Sequence, residues 1–133
     1  MRYDHVQSVI DKQFQDNWTA TALAFENQPF NTDIYEEFTR ITVQFGDSIL
    51  MALGTRCYRT PGIVFVDFFV RPGVGSNRIT QLAKMVTDLF IGTIIGDEVK
   101  IYFLEPSLSK NYAERTGWVS AQLRLSFYFD SEA

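Results

Sequence analysis

The chain has 133 residues, enough for one domain with its own core, and a hydrophobic share of 46% with twelve phenylalanines excludes a disordered polymer. The net charge is −4, and lysine and arginine are scattered with no run of three, which argues against a protein that grips a nucleic-acid backbone. One cysteine, Cys57, excludes an internal disulfide and a cysteine-cluster metal site, and no stretch reaches the roughly 18 apolar residues of a membrane span.

The first segment, "MRYDHVQSVIDKQF", is charged and amphipathic, unlike a signal peptide. Residues 3–17 read as a helix with Val6, Val9, Ile10 and Phe14 on one face. Asp4 and Gln7 fit a capping box at its start, and Trp18 plugs its end. Residues 22–25 read as a short strand. "ENQPFNTD" follows, with Asn, Asp and Pro29 marking a long loop.

"FTRITVQF", residues 38–45, alternates cleanly and reads as a half-buried strand. "GD" at 46–47 marks a turn or bulge, and "SILMALG" fits either a strand or a helical turn. "TRCYRT" reads as a strand ending at Pro61-Gly62. "IVFVDFFV", residues 63–70, is apolar on both faces apart from Asp67 and reads as a central strand.

Residues 76–90 form a second helical pattern, capped by Ser76 or Asn77, with Ile79, Leu82, Ala83, Val86 and Phe90 as its buried stripe. "GTIIGDEVKIYFLEP" gives a short strand, a turn and a longer strand; "NYAERTG" reads as a polar loop. Residues 118–129 form a closing strand, with Val119, Ala121, Leu123, Leu125 and Phe127 on one side and Ser120, Gln122, Arg124 and Ser126 on the other. Strands arrive in runs joined by short connections. That order predicts an α+β fold in one domain: a mostly antiparallel sheet with two helices packed on one face.

Chemistry is sparse. Gly73 and Gly75 give G-x-G after an apolar strand, but the third position of a dinucleotide fingerprint is Arg78, and no P-loop pattern is present. The single histidine, His5, lies beside Asp4 on the first helix. Cys57, in the strand-like "RCYR", reads as a small core or sheet residue, with no second histidine in the chain to serve as a base, and no serine sits in a nucleophile elbow. The paired carboxylates at 36–37 and 97–98 read as solvated charge. The sequence predicts no catalytic residue, no cofactor and no metal.

Asp67, between Phe65 and Phe69, calls for a partner if buried. Arg40, Arg59 or Arg124 can supply an ion pair across the sheet; a pair across a subunit boundary is the sharper alternative. Phe30, Tyr35, Phe38, Tyr112, Trp118 and Tyr128 fall in loops or on polar faces, a surplus of aromatics suited to protein contacts.

The succession "AFENQPF", "RITVQF", "YRTPGIVFVDFFVRPGVGSNRITQLAKMVTDLF" and "GWVSAQLRLSFYF" resembles the tail terminator family of long-tailed bacteriophages, including lambda-like terminators and phage-related minor tail domains. The matching features are Glu26, Asn27 and Phe30; Tyr58, Arg59 and Gly62; Pro72, Gly73 and Gly75; Gly117 and Trp118. "SILMALGTRC" departs from it, being less polar and glycine-rich than the family segment. The resemblance implies a structural virion protein, not an enzyme. It implies a homo-oligomer, a hexameric ring on the tail tube that stops tube growth and offers a surface to neck or head-completion proteins. It also implies DNA passing the lumen without specific binding, no membrane partner, and residence in the host cytoplasm during assembly. Candidate subunit or tube contacts are Phe30, Tyr35, Arg71, Pro72, Gly73, Gly75, Tyr112 and Arg115, in the loops at 28–36, 71–76 and 107–117. Another neck or head–tail connector protein, or a small α+β ligand-binding domain or enzyme, are the alternatives.

Overall fold

The computed structural model describes residues 3–25, 37–51, 56–73, 76–96, 98–115 and 117–132; for residues 76, 110–115 and 132 only the backbone is described. It is an α+β fold: two helices and a curled, mostly antiparallel sheet.

Helix α1 (Tyr3–Asn17) carries Asp4 in its first turn, where an acid favours the helix dipole. Val6, Ile10 and Phe14, four residues apart, form its buried row. Trp18 closes it by donating its backbone N–H to Phe14 at 2.9 Å. The Trp18 indole Nε1 donates to Thr21 Oγ1 at 3.0 Å, and Thr21 Oγ1 lies 2.8 Å from Thr39 Oγ1, so the fully buried Thr39 hydroxyl is satisfied.

Strand β1 (Ala22–Phe25) pairs in parallel with β2 (Glu37–Phe45). β3 (Ile49–Leu50) and β2 lie along the same neighbour, β4 (Cys57–Val70), both antiparallel to it. Helix α2 (Ser76–Phe90) and β5 (Ile94–Ile95) follow, then the long strands β6 (Ile101–Arg115) and β7 (Trp118–Glu132). The spatial order is β1-β2-β4-β7-β6-β5, with β3 pairing β4 off that path.

Two expectations change and one open choice is settled. The two strands expected on either side of Pro61-Gly62 are one strand, β4. Pro61 is tolerated because its carbonyl accepts from Gly46 N–H at 2.8 Å. A strand residue points both backbone groups to one neighbour, so its missing N–H faces the break between β2 and β3. Gly62 is required by contact: a Cβ there would lie 2.3 Å from the ring of Phe127. Second, "SILMALG" contributes a strand, β3. Third, "NYAER" belongs to β6 and is not a loop; the hairpin absorbs the extra residues as two register shifts, between Phe103 and Pro106 and between Ser109 and Ala113.

One core gathers the inward side of the strands. Val64, Val66, Phe68 and Val70 of β4, Ile41 and Val43 of β2, and Leu123, Leu125, Phe127 and Phe129 of β7 are buried there. Val6, Ile10 and Phe14 of α1 and Ile79, Leu82, Ala83, Val86 and Phe90 of α2 belong to the same cluster. β4 is not buried on both sides as its composition predicts: Ile63, Phe65, Asp67 and Phe69 stay half-buried on its other side.

Candidate protein interface

The outer side of the sheet is set by the register. Arg40 and Gln122 flank Asp67; Thr42 and Arg124 flank Phe65; Phe38 and Ser120 flank Phe69. At the end of the sheet where β4 leaves and β7 begins, Ala24, Phe38 and Trp118 form a second buried cluster, with Ala22 and Phe69 packed against it. Phe38 and Phe69 stack at 4.5 Å between ring centres, and Trp118 meets Phe38 edge-on at 4.9 Å. Phe38 is 2% exposed and Trp118 8%, so these two of the surplus aromatics are packed within the subunit.

Four aromatics on this side carry a cation. The guanidinium carbon of Arg71 lies 3.7 Å from the Trp118 ring centre, that of Arg40 5.1 Å from Phe69, that of Arg59 4.3 Å from Tyr128, and that of Arg124 5.8 Å from Phe65. Tyr128 also stacks on Tyr102 at 5.1 Å. This pattern was missed in the sequence because it pairs residues on different strands. Only the register brings Arg124 beside Phe65.

Asp67 takes a different partner from those expected. Gln122 Nε2 donates to Asp67 Oδ1 at 2.9 Å, and no ion pair involves Asp67 among the described residues. Two causes are visible. The carboxylate is half-buried, so water still solvates it. The arginines are engaged elsewhere: Arg40 over Phe69, Arg124 over Phe65 with Nε donating to Gln122 Oε1 at 3.2 Å, and Arg59 on Asp130. The Arg59–Asp130 pair is a two-pronged contact at 2.8 and 3.0 Å, which holds the Asp130 carboxyl below its ordinary range and raises Arg59 further.

Arg71 is half-buried beyond the end of β4 and also donates from Nη1 to the Gly117 carbonyl at 3.4 Å. Pro72 and Gly73 are exposed, and Gly73 has φ of 93°, in the left-handed region that favours glycine. Arg115 stands opposite Trp118 in the β6–β7 register, and Tyr112 lies in β6, both as backbone only. The structure therefore brings Arg71, Trp118 and the backbone of Arg115 together. Phe30, Tyr35 and Gly75 lie outside the described residues.

Arg78, which spoils the nucleotide fingerprint, has its own task. Its Nε donates to Glu37 Oε2 at 3.0 Å and its Nη2 to Glu37 Oε1, tying α2 to the first residue of β2. His5 is half-buried on α1, and its Nε2 has no hydrogen-bond partner among the described residues. An open groove of about 470 Å³ runs beside α1, lined by His5, Ser8, Lys12, Asp16, Ile95 and Gly96 among others.

The comparisons agree with this picture. A search of curated proteins finds no match. A solved structure 19% identical in sequence superposes with a TM-score of 0.75, covering 100% of this chain and 98% of its own, which establishes a shared fold. The family model described as phage tail terminator protein matches residues 5–127 of the chain. The chain belongs to the phage tail terminator family, a family of structural proteins of the bacteriophage tail and not of enzymes.

Proposed function

We propose that the protein forms a ring that caps the tail tube, stops its polymerisation and gives head-completion or neck proteins their docking surface. The observation that carries this is the family match over residues 5–127. In this reading the ring is a hexamer assembled in the host cytoplasm, and DNA passes its lumen without specific binding. Both helices cover one face of the sheet and leave the other for contact. A ring joins two different patches on each subunit. The outer side of the sheet, with its arginines and aromatics, and the exposed turn at Pro72 and Gly73 supply surface of the right chemistry.

The test is a phage lacking this protein. Its lysates should contain overlong tails or tails without heads. Tails of normal length joined normally to heads would overturn the reading. Arg71→Glu, or deletion of 73–75, should leave the monomer folded and impair assembly on tail tubes.

A further inference from the structure

Charge is segregated on this molecule. The chain as a whole is acidic, at −4. Yet the outer side of the sheet displays Arg40, Arg59, Arg71 and Arg124 against Asp67 and Asp130, with Glu105 exposed in the register shift of β6. The solvent side of α1 has the opposite balance: Asp4, Asp11 and Asp16 against Lys12, with Asp4 and Asp16 exposed. Ile94 is exposed next to the groove that borders this helix.

Arg40 and Arg124 are the informative pair. Both are exposed, and neither has a carboxylate partner among the described residues. Each is held over a ring, so its guanidinium is partly ordered before any partner arrives. An arginine prepared in this way suits a carboxylate, which it can grip with two parallel hydrogen bonds. Around them Phe65, Phe69 and Ile63 remain half-buried, leaving apolar surface to be covered.

We infer that the outer side of the sheet docks the acidic solvent side of α1 from a second copy of this chain. The two surfaces differ, so the contact is head-to-tail and repeats from subunit to subunit. Opposite potentials set its register and its rate of encounter, and salt weakens it. The inference rests on the ring-forming reading above and names the two surfaces that meet.

Sedimentation equilibrium of the full chain, followed into the millimolar range at low and high salt, is the test. The wild type should self-associate, less tightly in high salt. Arg40→Glu with Arg124→Glu should weaken association by roughly tenfold or more. Asp4→Ser with Asp16→Lys should do the same; both positions are exposed, and Lys suits the end of a helix. The chain carrying all four substitutions has both potentials reversed and should associate again. That recovery also shows that the single-face variants fold.

A wild type that stays monomeric, association indifferent to salt, or failure of the four-fold variant to recover would overturn the inference. So would a short duplex DNA probe that binds the wild type and is lost in Arg40→Glu/Arg124→Glu while self-association is unchanged. The phage test separates the two readings. Overlong tails in the deletion, with association unaffected by the sheet variant, would remove this contact and leave the terminator role standing.

Discussion

Arg71 sits over the indole of Trp118 with 3.7 Å between guanidinium carbon and ring centre, joining the residue after β4 to the first residue of β7. Trp118 also packs on Phe38 and is nearly buried. Trp118→Ala should therefore destabilise the fold by about 3–5 kcal/mol in chemical denaturation, the usual cost of emptying a large aromatic site. Arg71→Ala should cost less, about 1–2 kcal/mol, the value of a partly desolvated cation–π contact. A tryptophan variant as stable as the wild type would mean that the second cluster is not part of the cooperative core.

Gly62→Ala places a methyl into the ring of Phe127, which is 1% exposed and lies beneath Phe45 and Phe103. Overpacking of this kind typically costs about 1–3 kcal/mol. Gly62→Ala combined with Phe127→Leu should recover part of the loss relative to the sum of the single changes. Thermal melts of the four proteins in the cycle measure that coupling; strict additivity would contradict the contact.

The Arg78–Glu37 pair links α2 to β2 with both side chains about three-quarters buried. Removing one partner should cost more than an exposed pair, about 1–3 kcal/mol, because the other charge keeps its burial. Arg78→Met with Glu37→Leu should be less destabilising than either single change. Denaturant midpoints settle the order.

Asp130 gives a pH signature. Its carboxyl titrates lower in the folded chain than in the unfolded one because Arg59 binds the charged form. The unfolded chain thus takes up the proton first as pH falls. The stabilisation from this group is complete above the ordinary aspartate range and is lost as pH drops through the lower folded value. Asp130→Asn should lower stability slightly at neutral pH, where the pair is charged, and flatten the acid limb so that its curve meets that of the wild type below about pH 4. An acid limb identical to that of the wild type would exclude the pair as a contributor.

The helices and the alternating faces of β2 and β7 were legible because each is a local pattern: Val6, Ile10 and Phe14 repeat at helical spacing, and residues 119–127 alternate. The length of β4 was not, because Pro61 normally ends a strand; only a neighbouring break at Gly46 makes it harmless. The extension of β6 through "NYAER" was hidden for a similar reason, since register shifts against β7 allow polar, irregular residues within a ladder. Asp67 calls for a charged partner only if buried, and its apolar strand neighbours cannot decide that, because burial on that side depends on what covers it. Arg78 breaks the glycine fingerprint in the sequence, but its partner, Glu37, lies 41 residues away.

β7 is the last element of the sheet in the sequence, yet it lies between β4 and β6. Its ladder with β4 runs from Cys57 opposite Glu132 to Val70 opposite Val119. Such distant pairings make chain closure the slow event, so refolding should be far slower than in a helical bundle of this size. During synthesis β4 waits with one edge unpaired until β7 has emerged, and that interval is when a nascent chain is most exposed to mispairing with its neighbours.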